Sequence, residues 1–355
     1  MSSTLQSGPP VLPATAARRA GPRSIDWLAL CGPYLGLLVV IGFFSLLLWQ
    51  RGELDRFLNL GNVKLITVHA SIVAAVAVGM TLIMISGGID LSVGYVVSLV
   101  TVTTVLAYRW ADAHPWTHDM ASAWAILAGI GTGGLAGLGN GVLITQLRVA
   151  PFVVTLGMMG AARGLAQYLS DGQPVTFPNV VEPPAWVPWL GAIEAQPRWL
   201  GIAPAPWSVV LLALAAGLLL SFTVLGRYLY ALGSSEPTAR LCGIGVERTK
   251  IVIYTLAGLI TGWAGILQTA RSGSGFYNVQ AGLELEVIAA VVIGGGSLSG
   301  GEGTVTGTLI GALLLQVLDN GCSKLDQPRE FRFILIGAII VGVAALNSWR
   351  QRRQR

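Results

Sequence analysis

One carboxylate stands in the middle of a long uncharged stretch of the chain. Asp90 lies in the segment "ISGGIDLSVG", residues 85–94, just after Gly87 and Gly88 and two residues before Ser92. Glycine permits backbone conformations that other residues rarely adopt, so the glycine pair predicts an interruption between two apolar helices. At the start of the second helix, the Asp90 carboxylate can accept hydrogen bonds from free N–H groups, assisted by Ser92. The sequence therefore predicts a helix break capped by an acid.

A second glycine-rich segment, "GGGSLSGGEG" at residues 294–303, shares Gly, Gly, Leu, Ser and Gly in register with "GGIDLSVG". A phosphate-binding loop of the P-loop type needs a lysine directly after its last glycine, and no Gly-Lys pair occurs in the chain. Small residues between membrane helices instead allow close approach. We interpret Gly295, Gly296 and Ser297 as a second helix break or a packing site, and the symmetry relating the two segments stays open.

The sequence carries no convincing catalytic, metal or cofactor constellation. His114 and His118 have helical spacing, but Pro115 lies between them, which favours a solvated loop over a metal site. The cysteines Cys31, Cys242 and Cys322 are placed in a helix, a cytoplasmic loop and an external loop, so no disulfide is predicted. We expect a protein that is not an enzyme and that holds no cofactor or metal.

The composition of the chain indicates whether these residues lie in a membrane or in a soluble protein. The chain has 355 residues, of which 53% are hydrophobic and 11% charged, whereas soluble proteins carry roughly a quarter charged residues. The formal charge of +5 does not indicate nucleic acid, because arginines at helix ends are explained by lipid headgroups and membrane orientation. The composition predicts a membrane protein that crosses the bilayer several times.

Apolar runs long enough to cross a hydrocarbon core of about 30 Å predict the fold class. It is an all-α transmembrane bundle of about ten helices with broken or re-entrant segments. The eighth run is short enough to be a half-helix. The runs lie near 27–49, 63–86, 91–108, 121–146, 151–170, 207–225, 249–270, 284–297, 303–319 and 331–347.

Basic residues orient the bundle. Residues 1–24 are predicted to be a disordered tail, 25–347 the transmembrane domain, and 348–355 a basic tail. Both tails and the basic segment at 226–248 fall on one side in this count, and the positive-inside rule assigns that side to the cytoplasm. The proline- and tryptophan-rich loop at 171–206 falls outside, where it is either a stiff lid or a simple connector.

Three segments together carry a family resemblance. "VGMTLIMISGGIDLSVG" (78–94), "LGSSEPTARLCGIGVERTKIVIYTLAGLITGWAGIL" (232–267) and "GLELEVIAAVVIGGGSLSGGEGTVTGTLIGALL" (282–314) resemble the permease subunit of bacterial ribose-type monosaccharide ABC importers. The resemblance implies an alternating-access permease in the bacterial inner membrane, paired with a second permease subunit as a homodimer or a paralogous heterodimer. It also implies a periplasmic sugar-binding protein outside and separate ATPase subunits inside.

Polar residues within the predicted helices are candidates for the translocation path, although an isolated amide is as often a contact between helices. Sugar binding by Asp90, or its pairing with Arg163, is the alternative to capping. The candidates beside Gly87, Gly88, Asp90 and Ser92 are Asn140, Arg163, Gln167, Gln268 and Gln316.

The cytoplasmic segment contains a helix-start signal. Ser235 can cap a helix whose first turn holds Glu236 and Pro237, and Gly243 would help to end it. We predict a short helix from Glu236 to Cys242, which corresponds to the ATPase-coupling helix in the resembling family. Its predicted coupling residues are Ser235, Glu236, Pro237, Ala239, Arg240 and Gly243.

Other functions remain open at this point. A branched-chain amino acid permease is the nearest alternative within the transporter class. An ion-coupled carrier is disfavoured because few ionisable residues lie within the spans; those noted are Asp90, Arg163, His69, Glu284 and Glu286. A membrane-embedded enzyme is disfavoured by the lack of an acid/base or metal set.

Overall fold

The computed structural model describes residues 27–179, 182–191 and 201–328, with residues 331, 334, 335, 337, 338 and 342 beyond them. The predicted tails at 1–24 and 348–355 lie outside the described residues, as does most of the tenth predicted span at 331–347.

Helices are the main secondary structure of the described chain, and its two strands have two residues each, so the predicted all-α fold is confirmed. The first half contains α1 (Trp27–Gln50), α2 (Leu54–Phe57), α3 (Leu60–Ile85), α4 (Val93–Asp112), α5 (His118–Leu147) and α6 (Pro151–Leu169). The second half contains β1 (Val175–Thr176), α7 (Trp186–Gly191), α8 (Pro204–Phe222), α9 (Val224–Ser234), α10 (Glu236–Leu241), α11 (Val246–Ser272), β2 (Ser274–Gly275), α12 (Leu283–Ile293) and α13 (Val305–Lys324).

Within the described ranges, seven helices are long and apolar enough to cross a membrane: α1, α3, α4, α5, α8, α11 and α13. α6 has 19 residues but is not among these seven. α12 has 11 residues, the length of a half-helix, as the sequence predicts. Against the prediction of about ten helices, the described residues contain thirteen, of which seven are candidate membrane spans.

α3 is the central helix of the bundle. Every residue from Ala70 to Ile85 is buried, because α3 packs against α8, α11, α12 and α13. A helix that is apolar on all sides is suited to such a position.

Glycines bring α5 and α11 into backbone contact. A Cβ atom built on Gly133 would lie 2.6 Å from the Cα of Gly262, and one built on Gly137 would lie 2.9 Å from the Cα of Gly258. Gly133 and Gly137 are four residues apart in α5, and Gly258 and Gly262 are four residues apart in α11. Both glycines of each helix therefore face the partner helix. This is the small-residue packing expected between membrane helices.

The described parts of the loop after α6 are packed onto the bundle. β1 pairs antiparallel with β2, with Val175 opposite Gly275, and α7 buries Val187 and Leu190. A Cβ atom on Gly191 would collide with the backbone of Ala270 in α11. These contacts hold the loop across the end of α11.

The predicted position of Cys322 is wrong. The sequence places it in a loop after residue 319, but α13 continues to Lys324 and buries Cys322 in a cluster with Phe44 and Leu48. The polar pair Asp319 and Asn320 does not end the helix, because Asn320 exchanges side-chain hydrogen bonds of 2.8 and 2.9 Å with Asn62 inside the bundle.

Candidate functional site

The first helix break joins α3 to α4 through residues 86–92. Gly87 has a φ of +83°, a conformation that favours glycine. Its N–H donates to the Met84 carbonyl at 2.9 Å, and the N–H of Gly88 donates to the Ile83 carbonyl at 3.1 Å. The backbone donors at the turn are thus satisfied by protein, as a break within a membrane requires.

Asp90 is buried inside this break, with 6% of its surface exposed. Its Oδ1 accepts hydrogen bonds from the Ser92 backbone N–H at 2.8 Å and the Ser92 hydroxyl at 2.6 Å. Its Oδ2 accepts from the Asn140 amide at 3.3 Å, and the same amide reaches the Ser92 Oγ at 3.1 Å. The acid therefore joins the start of α4 to Asn140 in the C-terminal third of α5.

Arg163 lies elsewhere. Its guanidinium sits over the ring of Tyr95, 5.5 Å from the centroid, and within the described residues no basic side chain forms an ion pair with Asp90. The alternative in which Asp90 pairs with Arg163 is not formed in this structure.

Two buried polar atoms beside the break have unused hydrogen-bonding capacity. The Asn140 Oδ1 and the Tyr254 hydroxyl have no hydrogen-bond partner among the described residues. A Cβ atom on Gly88 would collide with that hydroxyl, so Gly88 leaves room for Tyr254. Nothing in the local sequence around Tyr254 indicates this contact.

The second break lies between α12 and α13. Gly294 packs against the backbone of Gly307, where a Cβ atom would lie 2.6 Å from the N of Thr308. Gly295 has a φ of +89° but faces open space, so it is needed for its backbone conformation and not for helix packing.

Hydrogen bonds within the loop close this second break on itself. The Gly296 N–H donates to the Val291 carbonyl at 2.8 Å, and the Ser297 N–H donates to the Glu302 carbonyl at 3.1 Å. The Ser297 hydroxyl oxygen accepts from the Ser299 N–H at 3.2 Å. The loop is a compact turn.

The two breaks touch each other and the end of α9 at a cluster that we call the glycine junction: Ile85, Gly87, Gly233, Gly300 and Gly301. The Gly301 N–H donates to the Ile85 carbonyl at 2.9 Å. Cβ atoms on Gly300 would lie 2.8 Å from the Gly87 Cα and 2.9 Å from the Gly233 Cα, and one on Gly233 would collide with the Ile85 carbonyl. Three segments far apart in sequence thus meet backbone to backbone.

The segment that follows α9 folds as the sequence predicts. α10 spans Glu236–Leu241, and the Ser235 hydroxyl accepts from the Thr238 N–H at 3.4 Å. Pro237 lies in the first turn, and Gly243 has a φ of +81° just after the helix. The predicted C-terminal end at Cys242 differs from the observed one by one residue.

Ion pairs hold α10 against the start of α11. The Glu236 carboxylate accepts from the Lys250 ammonium at 2.7 Å, and the Arg240 guanidinium donates to Glu247 at 2.7 Å. The hydrogen bond to Glu247 raises the pKa of Arg240 above its ordinary value. The short helix is therefore fixed in orientation relative to α11.

This orientation separates the two apolar faces of α10. Ala239 is 3% exposed and packs with Leu232 and Val246, whereas Leu241 is 89% exposed. Ala239 lies on the buried side of α10, so a docking partner would contact Leu241 instead. The sequence did not distinguish the two because both are apolar.

The remaining path candidates do not form one site. Arg163 and Gln167 are exposed on α6, while Gln268 and Gln316 are buried at 6% and 7% exposure near the other end of the bundle. Gln268 accepts a 2.6 Å hydrogen bond from the Gln280 side chain.

Gln316 and Gln280 line a cavity of about 690 Å³ between α3, α11, α12 and α13, which we call the distal cavity. It lies beside the last turn of α11, whereas α10 lies beside the first turn of α11. The 27 residues of α11 separate the two ends by nearly 40 Å, at about 1.5 Å per residue. The residues that line the cavity are His69, Ile72, Val73, Arg271, Val279, Gln280, Glu286, Gln316, Asp319, Cys322, Ser323, Asp326, Gln327 and Pro328.

Substitution of Asp90 separates its hydrogen bonding from its charge. We expect Asp90→Leu to lower stability by about 1–3 kcal/mol, because the buried N–H and hydroxyl of Ser92 lose their acceptor and the Asn140 amide keeps only the Ser92 Oγ. Asp90→Asn keeps an oxygen for Ser92, and the unpaired Asn140 Oδ1 can accept from the new amide, so its loss should stay below about 1 kcal/mol. Thermal unfolding in detergent measures both.

A Leu variant as stable as the unchanged protein would remove the capping interpretation. An Asn variant that folds normally but abolishes transport would assign the charge itself a part in transport.

Comparison with known proteins identifies related membrane permeases. A family model described as the permease component of the branched-chain amino acid transport system matches residues 62–344. The ribose import permease protein RbsC of Escherichia coli K12 is 36% identical over 325 residues, which are 92% of this chain and 95% of that protein.

Two further relatives cover most of the chain. RbsC of Bacillus subtilis 168 is 34% identical over 89% of this chain and 92% of its own length. The L-arabinose ABC transporter permease protein AraH of Azospirillum brasilense is 33% identical over 89% of this chain and 88% of its own length. With a family match over most of its length, a helical membrane fold and relatives above 30% identity, the chain belongs to this family of ABC importer permeases.

Proposed function

We propose that the chain forms the translocation path for a monosaccharide, delivered by a periplasmic binding protein and driven by separate ATPase subunits. The observation that carries this proposal is α10, a short helix fixed by ion pairs that presents Leu241 outward. A helix that exposes an apolar side chain can insert into a groove of a partner protein. The chain has no P-loop of its own, so the proposed ATP hydrolysis takes place in that partner.

The route from α10 to the membrane is the glycine junction. α10 begins two residues after Ser234, the last residue of α9, and Gly233 contacts both helix breaks. A displacement of α10 would therefore act directly on α3 and on the loop before α13. Packed backbones transmit such displacements because they have no flexible side chains that could absorb them.

The exposed face of α6 supports our proposal that the chain pairs with a second permease subunit. Arg163 and Gln167 lie on this face, and a charged side chain facing lipid is costly, so such residues generally face protein or water. This supports a water-filled path between two copies or two paralogues, in contact with lipid elsewhere. We assign no role to individual residues of that path beyond Arg163 and Gln167.

We place the protein in the bacterial inner membrane with both termini in the cytoplasm. The proposed division is a tail at 1–24, a permease domain at 25–347 containing the coupling segment at 226–248, and a basic tail at 348–355. The support is the set of arginines and lysines in the two tails and in the coupling segment, which the positive-inside rule assigns to the cytoplasm.

A monosaccharide is favoured over a branched-chain amino acid by the relatives. Proteins named for ribose and L-arabinose match about nine tenths of this chain at 33–36% identity. The family description that names branched-chain amino acids keeps that substrate class as the second candidate.

The test is uptake into proteoliposomes that contain the chain with its cognate ATPase and binding protein. We expect labelled D-ribose or L-arabinose to accumulate, and unlabelled L-leucine in large excess to leave that uptake unchanged. Accumulation of leucine, with neither sugar transported, would assign the chain to the second candidate.

A further inference from the structure

The distal cavity is a large, mainly polar opening at one end of the helix bundle. Its volume of about 690 Å³ falls within the range of roughly 300–1,000 Å³ that small-molecule sites occupy. It lies within one subunit, at the end of α11 opposite α10. Nothing in the coupling mechanism proposed above uses it.

Charged and amide side chains converge on this cavity from four helices. Arg271 donates to the His69 Nδ1 at 3.4 Å, and its guanidinium attracts Asp319 electrostatically. Glu286 is buried at 8% exposure and Gln316 at 7%. A buried polar side chain in a membrane bundle is costly, so the convergence of Glu286 and Gln316 on the same opening indicates a function.

The wall also has a small apolar part. Ile72 and Val73 line it from α3, and Val279 lines it from the connection between β2 and α12. A sugar ring has hydroxyl groups at its edge and C–H groups on its faces, so it requires both types of surface. The amide and carboxylate groups can bond the hydroxyls, and the aliphatic groups can pack against a C–H face.

The charges exclude other ligand classes. Three carboxylates line the cavity, Glu286, Asp319 and Asp326, against the single guanidinium of Arg271, so an anion such as a sugar phosphate would be repelled. An aliphatic amino acid would need a larger apolar surface for its side chain. Within the described residues, no group of three His, Cys, Asp or Glu side chains is placed to hold a metal ion.

We propose that the distal cavity is a first binding site for the solute, ahead of the path between the two subunits, and that it selects an uncharged, unphosphorylated polyhydroxylated molecule. This inference rests on the proposed function, because it names the substrate class and the residues of the subunit that meet the substrate first. Gln316 and Asp319 of α13, together with Gln280, supply the groups that bond its hydroxyls.

The test is direct binding to the purified full-length chain in lipid nanodiscs. Saturation-transfer NMR with D-ribose should detect binding in the millimolar range, about 4 kcal/mol in free energy. Ribose 5-phosphate and L-leucine should give no signal. Gln316→Leu and Asp319→Asn should each weaken the ribose signal at least fivefold.

Two variants with the same Gln→Leu change complete the design. Gln146→Leu, at the exposed end of α5 near α10, should leave the signal unchanged. Gln167→Leu tests whether ribose binds at the exposed face of α6 instead. Loss of the ribose signal in Gln167→Leu, with a normal signal in Gln316→Leu, would overturn the distal cavity as the binding site.

Binding of leucine or of the phosphate ester at equal strength would also overturn the proposal, as would the absence of any ribose signal at about 50 mM, a concentration that saturates a millimolar site. These outcomes differ from failure of the proposed function. If proteoliposomes import ribose but both cavity variants bind it normally, only the cavity inference fails; if no sugar is imported at all, the proposed function fails.

Discussion

Leu241→Asp is expected to abolish solute uptake while the permease still folds and inserts. Leu241 is 89% exposed on a helix whose orientation is fixed by Glu236–Lys250 and Arg240–Glu247. Burying a leucine in a partner pocket contributes about 2–3 kcal/mol, and an unpaired carboxylate in its place adds a desolvation cost. ATPase association should therefore weaken by about 100-fold or more.

The measurement is co-purification of the ATPase with the tagged permease, with uptake assayed in parallel. Leu58→Asp is the matched control: Leu58 is 54% exposed and follows α2, so the same change there should leave ATPase association intact. Unchanged association in Leu241→Asp would remove α10 as the docking site.

Ala239→Glu should behave differently, because Ala239 is buried beneath α10. A glutamate there would disturb the cluster with Leu232 and Val246, so it would confuse damage to the fold with loss of docking. Leu241 is the cleaner probe.

Gly233→Ala is expected to have the second large effect. The added Cβ would collide with the Ile85 carbonyl and the Gly301 N–H, which are backbone atoms that cannot rotate away. Overpacking of this kind costs about 3 kcal/mol or more. We expect a clear loss of thermal stability in detergent and a loss of uptake of about tenfold or more.

The control for this variant is Gly217→Ala in α8. A Cβ atom at Gly217 meets nothing within 4 Å, and alanine favours a helix by about 1 kcal/mol over glycine, so stability should be unchanged or higher. If Gly233→Ala unfolds at the same temperature as Gly217→Ala and transports normally, the glycine junction does not constrain the backbone.

The sequence predicted those helix ends that depend on neighbouring residues. The glycine pair at 87 and 88 marked the end of α3, and Ser235 with Pro237 marked the start of α10. In each case the conformation follows from neighbouring residues through backbone freedom or helix capping.

Features formed by distant segments could not be predicted in the same way. The glycine junction joins residues near 85, 233 and 301, and glycine at 233 is locally indistinguishable from a helix-end glycine. Likewise, the predicted span 303–319 stops at Asp319, whereas α13 continues to Lys324 and Asp319 lies in the wall of the distal cavity. Packing between distant helices decides these positions.

The same principle explains the choice between Ala239 and Leu241. Both are apolar residues of a helix of six residues, too short for a hydrophobic periodicity to show which side is buried. The ion pairs from Glu236 and Arg240 to α11 determine the orientation, and these pairs depend on how α11 follows α10 in space.

The most direct test of the central claim is the energy source of uptake in the proteoliposomes described above. The permease is reconstituted with its cognate ATPase and binding protein, and labelled D-ribose uptake is followed with ATP, with a non-hydrolysable analogue, and with ATP plus a protonophore. The account predicts accumulation that requires hydrolysable ATP and the ATPase subunits, and that persists when the proton gradient is collapsed. Accumulation by the permease alone, driven by an ion gradient and abolished by the protonophore, would contradict it.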